Sequence, residues 1–176
     1  AGHWAERAIK LLAARQIATG VTPDRFDPDR AITRAEFAAL IARALRLKAS
    51  GSPDSKAVFG DVRDGDWFAA DVLAAAEAGI IRGRGDGRFA PADRVTREEM
   101  AVMIMRAHAL AAASSAAVST LEPAYRDLAD VSGWARDSVA QAYALGIMNG
   151  RGNGLFDPRG TATRAESAKV IVSLLQ

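Results

Sequence analysis

The same series of residues occurs three times along this chain, and this repetition constrains the fold more than any other feature of the sequence. Each copy contains a tryptophan, followed at constant distances by a glycine, by Phe-x-Pro and by Thr-Arg-x-Glu. The tryptophans are Trp4, Trp67 and Trp134, and the last sequence begins at Thr33, Thr96 and Thr163. We therefore expect three similar structural units, called repeats one, two and three.

The residues after each tryptophan predict an amphipathic helix. Apolar residues recur at the three-residue spacing of one helical face. These pairs are Ile9 and Leu12, Val72 and Ala75, and Val139 and Ala142. Gly79 and Gly146 stand where a left-handed C-terminal cap is expected, whereas repeat one has Gln16 there. Asp-Gly and Asn-Gly turn sequences follow in repeats two and three.

A second helix is predicted from the Thr-Arg-x-Glu sequence, because Thr-x-x-Glu is a capping box in which the Thr is the N-cap. An apolar stripe follows each box: Phe37, Leu40, Ile41, Ala44 and Leu45; Met100, Met103, Ile104 and Ala107; Val170, Ile171 and Leu174. Ala38, Ala101 and Ala168 occupy one equivalent position, which predicts close helix approach. No segment alternates apolar and polar residues over strand length, so we predict an all-α fold.

The composition excludes several classes of function. The 176 residues are 49% hydrophobic, enough for one compact domain. There is no cysteine, so thiol chemistry and cysteine-based metal sites are excluded. The formal net charge of +2 does not favour nucleic acid as a partner. No apolar stretch approaches the roughly 20 residues of a membrane span.

The differences in length between the copies fall in two predicted linkers. Repeat one takes residues 1–47, repeat two takes 58–110 and repeat three takes 125–176. The segments 48–57 and 111–124 are rich in Ser, Pro and Ala, which is typical of linkers.

The complete pattern resembles that of the S-layer homology family. That family has Phe-x-Asp-Val before the tryptophan, and this chain has Phe-Gly-Asp-Val at residues 59–62 and Tyr-Arg-Asp-Leu at residues 125–128. Repeat one begins at Gly2-His3-Trp4 and lacks this opening. The resemblance implies three helix-loop-helix repeats in a pseudo-threefold arrangement around a central helical bundle.

The resemblance also implies a ligand. Grooves between adjacent repeats in the family bind secondary cell-wall polymers, notably those with a pyruvate ketal on N-acetylmannosamine. The implied ligand-binding residues are the tryptophans, the arginine of each Thr-Arg sequence, the acidic residue of each opening and several loop residues. They are Trp4, Trp67 and Trp134; Arg34, Arg97 and Arg164; Asp61 and Asp127; and Gly83, Arg84, Gly85, Gly150, Arg151 and Gly152.

The arginines and tryptophans have structural alternatives. Each Thr-Arg arginine follows a helix N-cap, where an anion would meet free backbone amides, the positive helix end and a guanidinium that can bind a carboxylate with two hydrogen bonds. The alternative is a structural salt bridge, for example to Glu98 or to an Asp of a neighbouring repeat. Each tryptophan could equally anchor its helix in the core, with or without a sugar on an exposed ring face.

The predicted function is a non-catalytic carbohydrate-binding module, located outside the cell at a bacterial cell wall or S-layer. A structural or protein-interaction module of a surface protein is the alternative. An enzyme is not expected, because the sequence shows no nucleophile and base pair and its Thr-x-x-Glu glutamates are explained as capping partners. We predict no cofactor and no metal site, and we expect the chain to be monomeric, with its parent protein a candidate for assembly in a surface layer.

Overall fold

A computed structural model describes residues 2–20, 25–50, 59–112 and 122–175, and the regular secondary structure in these ranges is helical. Six α-helices and no strand occur in these ranges, so the predicted all-α fold is confirmed. The helices are α1 (Glu6–Ala14), α2 (Arg34–Ala44), α3 (Ala69–Glu77), α4 (Arg97–Ala111), α5 (Arg136–Ala144) and α6 (Arg164–Val172). Each repeat contributes two of them. The predicted linkers lie largely outside the described residues.

The second helix of each repeat begins at a capping box, as predicted. At the start of α4, Glu99 N donates to Thr96 Oγ1 at 3.3 Å, and Thr96 N donates to Glu99 Oε2 at 2.9 Å. The same reciprocal pair is present at the start of α2 and of α6. Each box satisfies two amides that a helix start would otherwise leave without partners.

The first helix of each repeat ends in the left-handed conformation, which the sequence predicted for repeats two and three but not for repeat one. Gly79 and Gly146 have φ of 73° and 66°. Gln16 occupies the same position after α1 with φ of 58°, although it carries a Cβ. Repeat one therefore keeps the backbone geometry of this cap without the residue that adopts it most readily.

Each first helix packs on the second helix of another repeat: α3 on α2, α5 on α4, and α1 on α6. The segments that precede the second helices are joined by backbone hydrogen bonds in a closed cycle. Ile32 N donates to Ala162 O, Ala162 N to Val95 O, and Val95 N to Ile32 O. Every repeat thus contacts both of the others. A pseudo-threefold arrangement requires such a cycle, but the symmetry itself stays a prediction.

The predicted apolar stripes of the second helices are buried in the core. The fully buried members are Phe37, Ile41, Met100, Ile104, Ala107 and Ile171. The three equivalent alanines, Ala38, Ala101 and Ala168, are also fully buried, and α6 contacts both α2 and α4. Small side chains at a helix contact allow a short distance between the helix axes. In the described ranges, every helix is too short or too polar to cross a membrane.

Candidate functional site

The arginine of each Thr-Arg sequence is buried and joins two repeats. Arg34, at the start of α2, donates from Nε to Phe89 O and from Nη2 to Arg82 O, both at 2.9 Å. Its Nη1 lies 3.5 Å from Glu99 Oε1. All three acceptors belong to repeat two, so Arg34 cross-links repeat one to repeat two.

Arg97 and Arg164 continue this series of links. Arg97 donates to Phe156 O at 2.7 Å and to Glu166 Oε1 at 2.6 Å, both in repeat three. Arg164 donates to Phe26 O in repeat one at 2.9 Å. Burial is the main cause that lowers the pKa of all three arginines, but a guanidinium stays charged in proteins. The links run from repeat one to two, from two to three, and from three back to one.

The helix N-termini beside these arginines do not offer free amides to an anion, so that expectation is wrong. Arg34 N donates to Asp93 O at 2.8 Å, and Ala35 N donates to Pro91 O at 3.1 Å. The third amide donates to the hydroxyl of the capping Thr33. The starts of α4 and α6 are closed in the same way. The loop of a neighbouring repeat supplies the carbonyl partners, and the sequence alone does not reveal that loop's position.

In repeats two and three, the capping glutamate also binds a loop arginine of its own repeat. Arg84 Nη1 donates to Glu99 Oε1, and Arg151 donates to Glu166 from Nε and Nη2 at 3.0 and 2.8 Å. Burial raises the pKa of Glu166, but the bound arginines and the capping bond outweigh burial and hold this pKa below its ordinary value. Arg84 and Arg151 therefore lie beside a carboxylate and the buried arginine of the preceding repeat.

Repeat one achieves the same charge balance with a different residue. The sequence has Val21 at the position of the loop arginines. Arg30 donates to Glu36 Oε1 at 2.5 Å instead. Arg30 was not predicted from the sequence, although the absence of an arginine at position 21 leaves Glu36 without the partner that Glu99 and Glu166 have.

The three tryptophans lie on the surface, with 61% of each exposed, so most of each side chain lies outside the core. Each lines a groove that also contains a buried arginine from a second repeat and loop residues from the third. We name each groove after its tryptophan. The sequence predicted the tryptophans and arginines but not which of them share a groove.

The Trp134 groove has a volume of about 390 Å³. Trp134 comes from repeat three and Arg34 from repeat one. Repeat two supplies the remaining polar lining: Arg82, Gly83, Arg84, Glu99 and Arg106. With Arg34, the whole groove has four arginines and one carboxylate.

The Trp4 groove is similar in size, about 380 Å³. Trp4 comes from repeat one and Arg97 from repeat two. Repeat three supplies the remaining polar lining: Asn149, Gly150, Arg151, Glu166 and Lys169. Cations again outnumber carboxylates.

The Trp67 groove is smaller, about 200 Å³. Trp67 comes from repeat two and Arg164 from repeat three. Repeat one contributes Thr19, Gly20, Phe26, Glu36 and Arg43. The sequence did not predict four of the cations in these three linings, because none of their positions carries a cation in all three repeats: Arg43, Arg82, Arg106 and Lys169.

The predicted loop glycines fall into two groups. A Cβ on Gly83 or on Gly150 would lie 2.7 or 2.6 Å from a backbone oxygen of the same loop, so only glycine fits. Both residues also line grooves. Gly85 and Gly152 have φ of 89° and 103° and do not belong to the three groove linings. Glycine is favoured at these two positions because the turn requires a positive φ.

The two predicted aspartates stabilise the conformation of these loops. Asp61 accepts from Phe89 N at 2.7 Å and from Ala90 N at 2.8 Å. Burial raises the pKa of Asp61, but the two backbone bonds outweigh burial and lower the pKa overall. Asp127 accepts the corresponding two amides in repeat three. Neither aspartate lines one of the three grooves, so their ligand-binding role stays a prediction.

The grooves share a chemical character that suits an acidic sugar. An exposed indole can stack against a sugar ring, and nearby guanidinium or ammonium groups can bind its acid group. Among the described residues, no group of His, Cys, Asp and Glu side chains is arranged to hold a metal ion.

Comparison with known proteins agrees with the sequence pattern. The S-layer homology domain model matches residues 1–38, 58–101 and 124–168, one segment in each repeat. Amylopullulanase from Thermoanaerobacterium thermosulfurigenes is 42% identical over 99% of this chain. Exoglucanase XynX from Acetivibrio thermocellus is 40% identical over 99% of it. An S-layer protein from Bacillus thuringiensis subsp. finitimus is 30% identical over 97% of it.

This chain corresponds to a small part of those relatives. It spans 9% of the amylopullulanase, 16% of the exoglucanase and 20% of the S-layer protein. Relatives also include S-layer protein sap of Bacillus anthracis and cell surface glycoprotein 1 of Acetivibrio thermocellus. The predicted extracellular location at the bacterial surface is confirmed by these matches. The chain belongs to the S-layer homology domain family, whose domains anchor surface proteins to the cell wall.

Proposed function

We propose that this chain is a non-catalytic module that holds its protein at the cell wall by binding an acidic polysaccharide that contains pyruvylated N-acetylmannosamine. The sugar ring stacks on an exposed indole, and the ketal carboxylate lies beside the cations of the same groove. The observation that carries the proposal is the exposure of 61% of each tryptophan at the edge of a groove lined by arginines. Large exposed aromatic surface is typical of binding sites.

The charge of the grooves supports an anionic ligand. The Trp134 groove has four arginines against Glu99, and the Trp4 groove has Arg97, Arg151 and Lys169 against Glu166. A carboxylate that enters either groove meets an excess of positive charge, and hydrogen bonds between charged groups are stronger than neutral ones.

A polymer can occupy more than one groove of the same molecule. Once one acidic sugar is bound, a second one on the same polymer is held at high local concentration, and the two weak sites combine into tight attachment. Anchoring therefore does not require high affinity for a single sugar.

The direct test is isothermal titration with pyruvylated N-acetylmannosamine and with its unpyruvylated counterpart. We expect heat of binding only with the pyruvylated sugar, and affinity that falls as salt is added, because salt screens the attraction between charges. Equal titrations of the two sugars would contradict recognition of the carboxylate.

Substitutions of the tryptophans test binding without disturbing folding. Trp4→Ala combined with Trp134→Ala should remove sugar binding from the two larger grooves, weaken the overall affinity and leave the fold intact, because both side chains are largely exposed. Leu110→Ala is a matched control, since Leu110 is 48% exposed and lines none of the three grooves. If the double variant retained wild-type affinity, the indoles would have no part in the site.

The three buried arginines bind groups of the protein itself. This observation favours a second candidate function, a structural module in which the repeated residues serve only packing. Arg97 uses Nε, Nη1 and Nη2 for contacts within the protein. Replacing these arginines therefore tests folding rather than binding. Full wall attachment by the folded tryptophan double variant would favour this candidate.

The enzyme names of several relatives do not supply a function for this chain. It covers only 9% and 16% of the amylopullulanase and the exoglucanase. The proposal leaves catalysis to other parts of such proteins and gives this chain the role of attachment.

A further inference from the structure

The three grooves differ in size and in how their charges are paired. The Trp67 groove has about 200 Å³, whereas the Trp4 and Trp134 grooves have about 380 and 390 Å³. The difference coincides with one ion pair beside Trp67, Arg43–Asp71, which has no counterpart in the other two grooves among the described residues.

Arg43 of α2 is bound to Asp71 of α3 at the edge of the Trp67 groove. Its Nε and Nη2 lie 3.0 and 2.9 Å from Asp71 Oδ2. The same guanidinium lies over the Trp67 ring, with Cζ 5.7 Å from the ring centroid. The Arg43 side chain thus contacts the indole, which stays as exposed as the other two, and its charge is already neutralised by a carboxylate of the protein.

The Trp134 groove has the equivalent arginine but no equivalent carboxylate. Arg106 stands in α4 where Arg43 stands in α2, both ten residues after the capping threonine. Ser138 stands in α5 where Asp71 stands in α3, both four residues after the tryptophan. Arg106 donates instead to Ile80 O at 3.4 Å.

Two cations of the Trp134 groove have no anionic partner within the described part of the chain. No salt bridge is formed there by Arg106 or by Arg82, and the two side chains repel each other. Burial first and the charge of Arg82 second lower the pKa of Arg106. A bound carboxylate would relieve this repulsion.

The Trp4 groove also lacks a counterpart of the Arg43–Asp71 ion pair. Ala8 and Ser173 stand at the positions of Asp71 and Arg43. Lys169 supplies a cation from a different position on α6 and, among the described residues, forms no salt bridge.

We propose that Asp71, by holding Arg43 over Trp67, closes the Trp67 groove to acidic sugars, so that the chain binds them only in the Trp4 and Trp134 grooves. Arg106 is then a ligand-binding residue of the Trp134 groove. The inference rests on the proposed function, because it concerns which grooves serve it.

The chain provides a separate reporter for each of the three grooves, since each of its three tryptophans lines a different one. Titration of the ¹⁵N-labelled protein with pyruvylated N-acetylmannosamine can be followed through the three indole N–H signals, assigned with single Trp→Phe variants. We expect the Trp4 and Trp134 signals to shift with saturation and the Trp67 signal to stay in place.

Two reciprocal substitutions exchange the closing carboxylate between grooves. Asp71→Ser copies Ser138 and should give a saturable shift of the Trp67 signal. Ser138→Asp copies Asp71 and should weaken binding reported by Trp134 at least tenfold, while the Trp4 signal responds as in the wild type. Asp137→Ser removes an exposed carboxylate close to Trp134 that lines no groove, and it should leave the pattern unchanged.

The outcomes separate this inference from the proposed function. Saturable shifts of all three wild-type signals with similar affinity would overturn the inference. It would also be overturned if the Trp67 signal of folded Asp71→Ser did not respond to the sugar and Ser138→Asp bound the sugar at Trp134 as the wild type does. No shift of any indole signal in the wild type would instead overturn the proposed function.

Discussion

At the scale of single residues, arginine side chains differ in how many of their donors are bound by groups of the protein. Arg97 is 3% exposed and is bonded to two carbonyls and a carboxylate of repeat three. Arg106 lines a groove and has one weak carbonyl contact. The first is a structural cross-link, and the second is available to a ligand.

Replacing Arg97 should destabilise the protein. Arg97→Ala leaves the carbonyls of Phe156 and Asn149 without their donor and removes a buried ion pair, so the free energy of unfolding should fall by about 3 kcal/mol. Urea denaturation measures this change. Arg63→Ala, at an exposed position, is the control and should change stability by less than about 0.5 kcal/mol. A loss at Arg97 no larger than that control would refute the cross-link.

Stability should also fall in acid because of Glu166. Its pKa in the folded protein is lowered from its ordinary value of 4.5. The stabilisation is therefore fully present above that ordinary value and is lost as the pH falls through the lower, folded-state pKa. Urea midpoints measured from pH 7 to pH 3 should decline less steeply for Glu166→Gln than for the wild type. Parallel curves would show that Glu166 does not contribute.

At the scale of elements, local sequence sets where each second helix begins, while the neighbouring repeat completes its first turn. The capping box of α4 satisfies one amide within the helix and the amide of Thr96 itself. The amides of Arg97 and Glu98 are satisfied by Gly160 and Pro158 of repeat three. A second helix isolated from its neighbour would lose half of these contacts.

Removal of one cap should have a moderate, measurable effect. Thr96→Ala should lower the free energy of unfolding by about 1 kcal/mol, because Glu99 N loses its acceptor. Thr161→Ala is a suitable control, since Thr161 is exposed and its carbonyl, which binds Arg151, is retained. Equal stability of the two variants would show that water replaces the cap without cost.

At the scale of the whole molecule, the repeats depend on one another because their contacts form a closed cycle. Each first helix packs on the second helix of another repeat, and Arg34, Arg97 and Arg164 follow the same order. No repeat can leave without breaking two interfaces.

We therefore expect a single cooperative unfolding transition. Tryptophan fluorescence reports the three groove edges, and far-UV circular dichroism reports the helices, so the two denaturation curves should coincide. The same coincidence should persist at lower stability in Arg164→Ala, which weakens the link between repeats three and one. Separate transitions for the two probes would indicate that repeats unfold one at a time.

The sequence by itself determined the features that depend on neighbours in the chain. The three Thr-x-x-Glu boxes, the left-handed helix ends and the buried stripes follow from local hydrogen bonding and from periodicity, and all are present. The repeated Trp and Arg residues were found by their constant spacing, and the resemblance to the family implied that they belong to grooves.

Only the tertiary structure decided how the repeats share these residues. Each groove takes its tryptophan, its buried arginine and its loop from three different repeats, so its members are far apart in sequence. The occupied amides beside Arg34 and the Arg43–Asp71 pair arise across such contacts. The Arg30–Glu36 pair lies within repeat one, but it replaces a loop arginine that the other two repeats have. Periodicity reveals which residues are equivalent, but charge pairing depends on distances that only the packed chain defines.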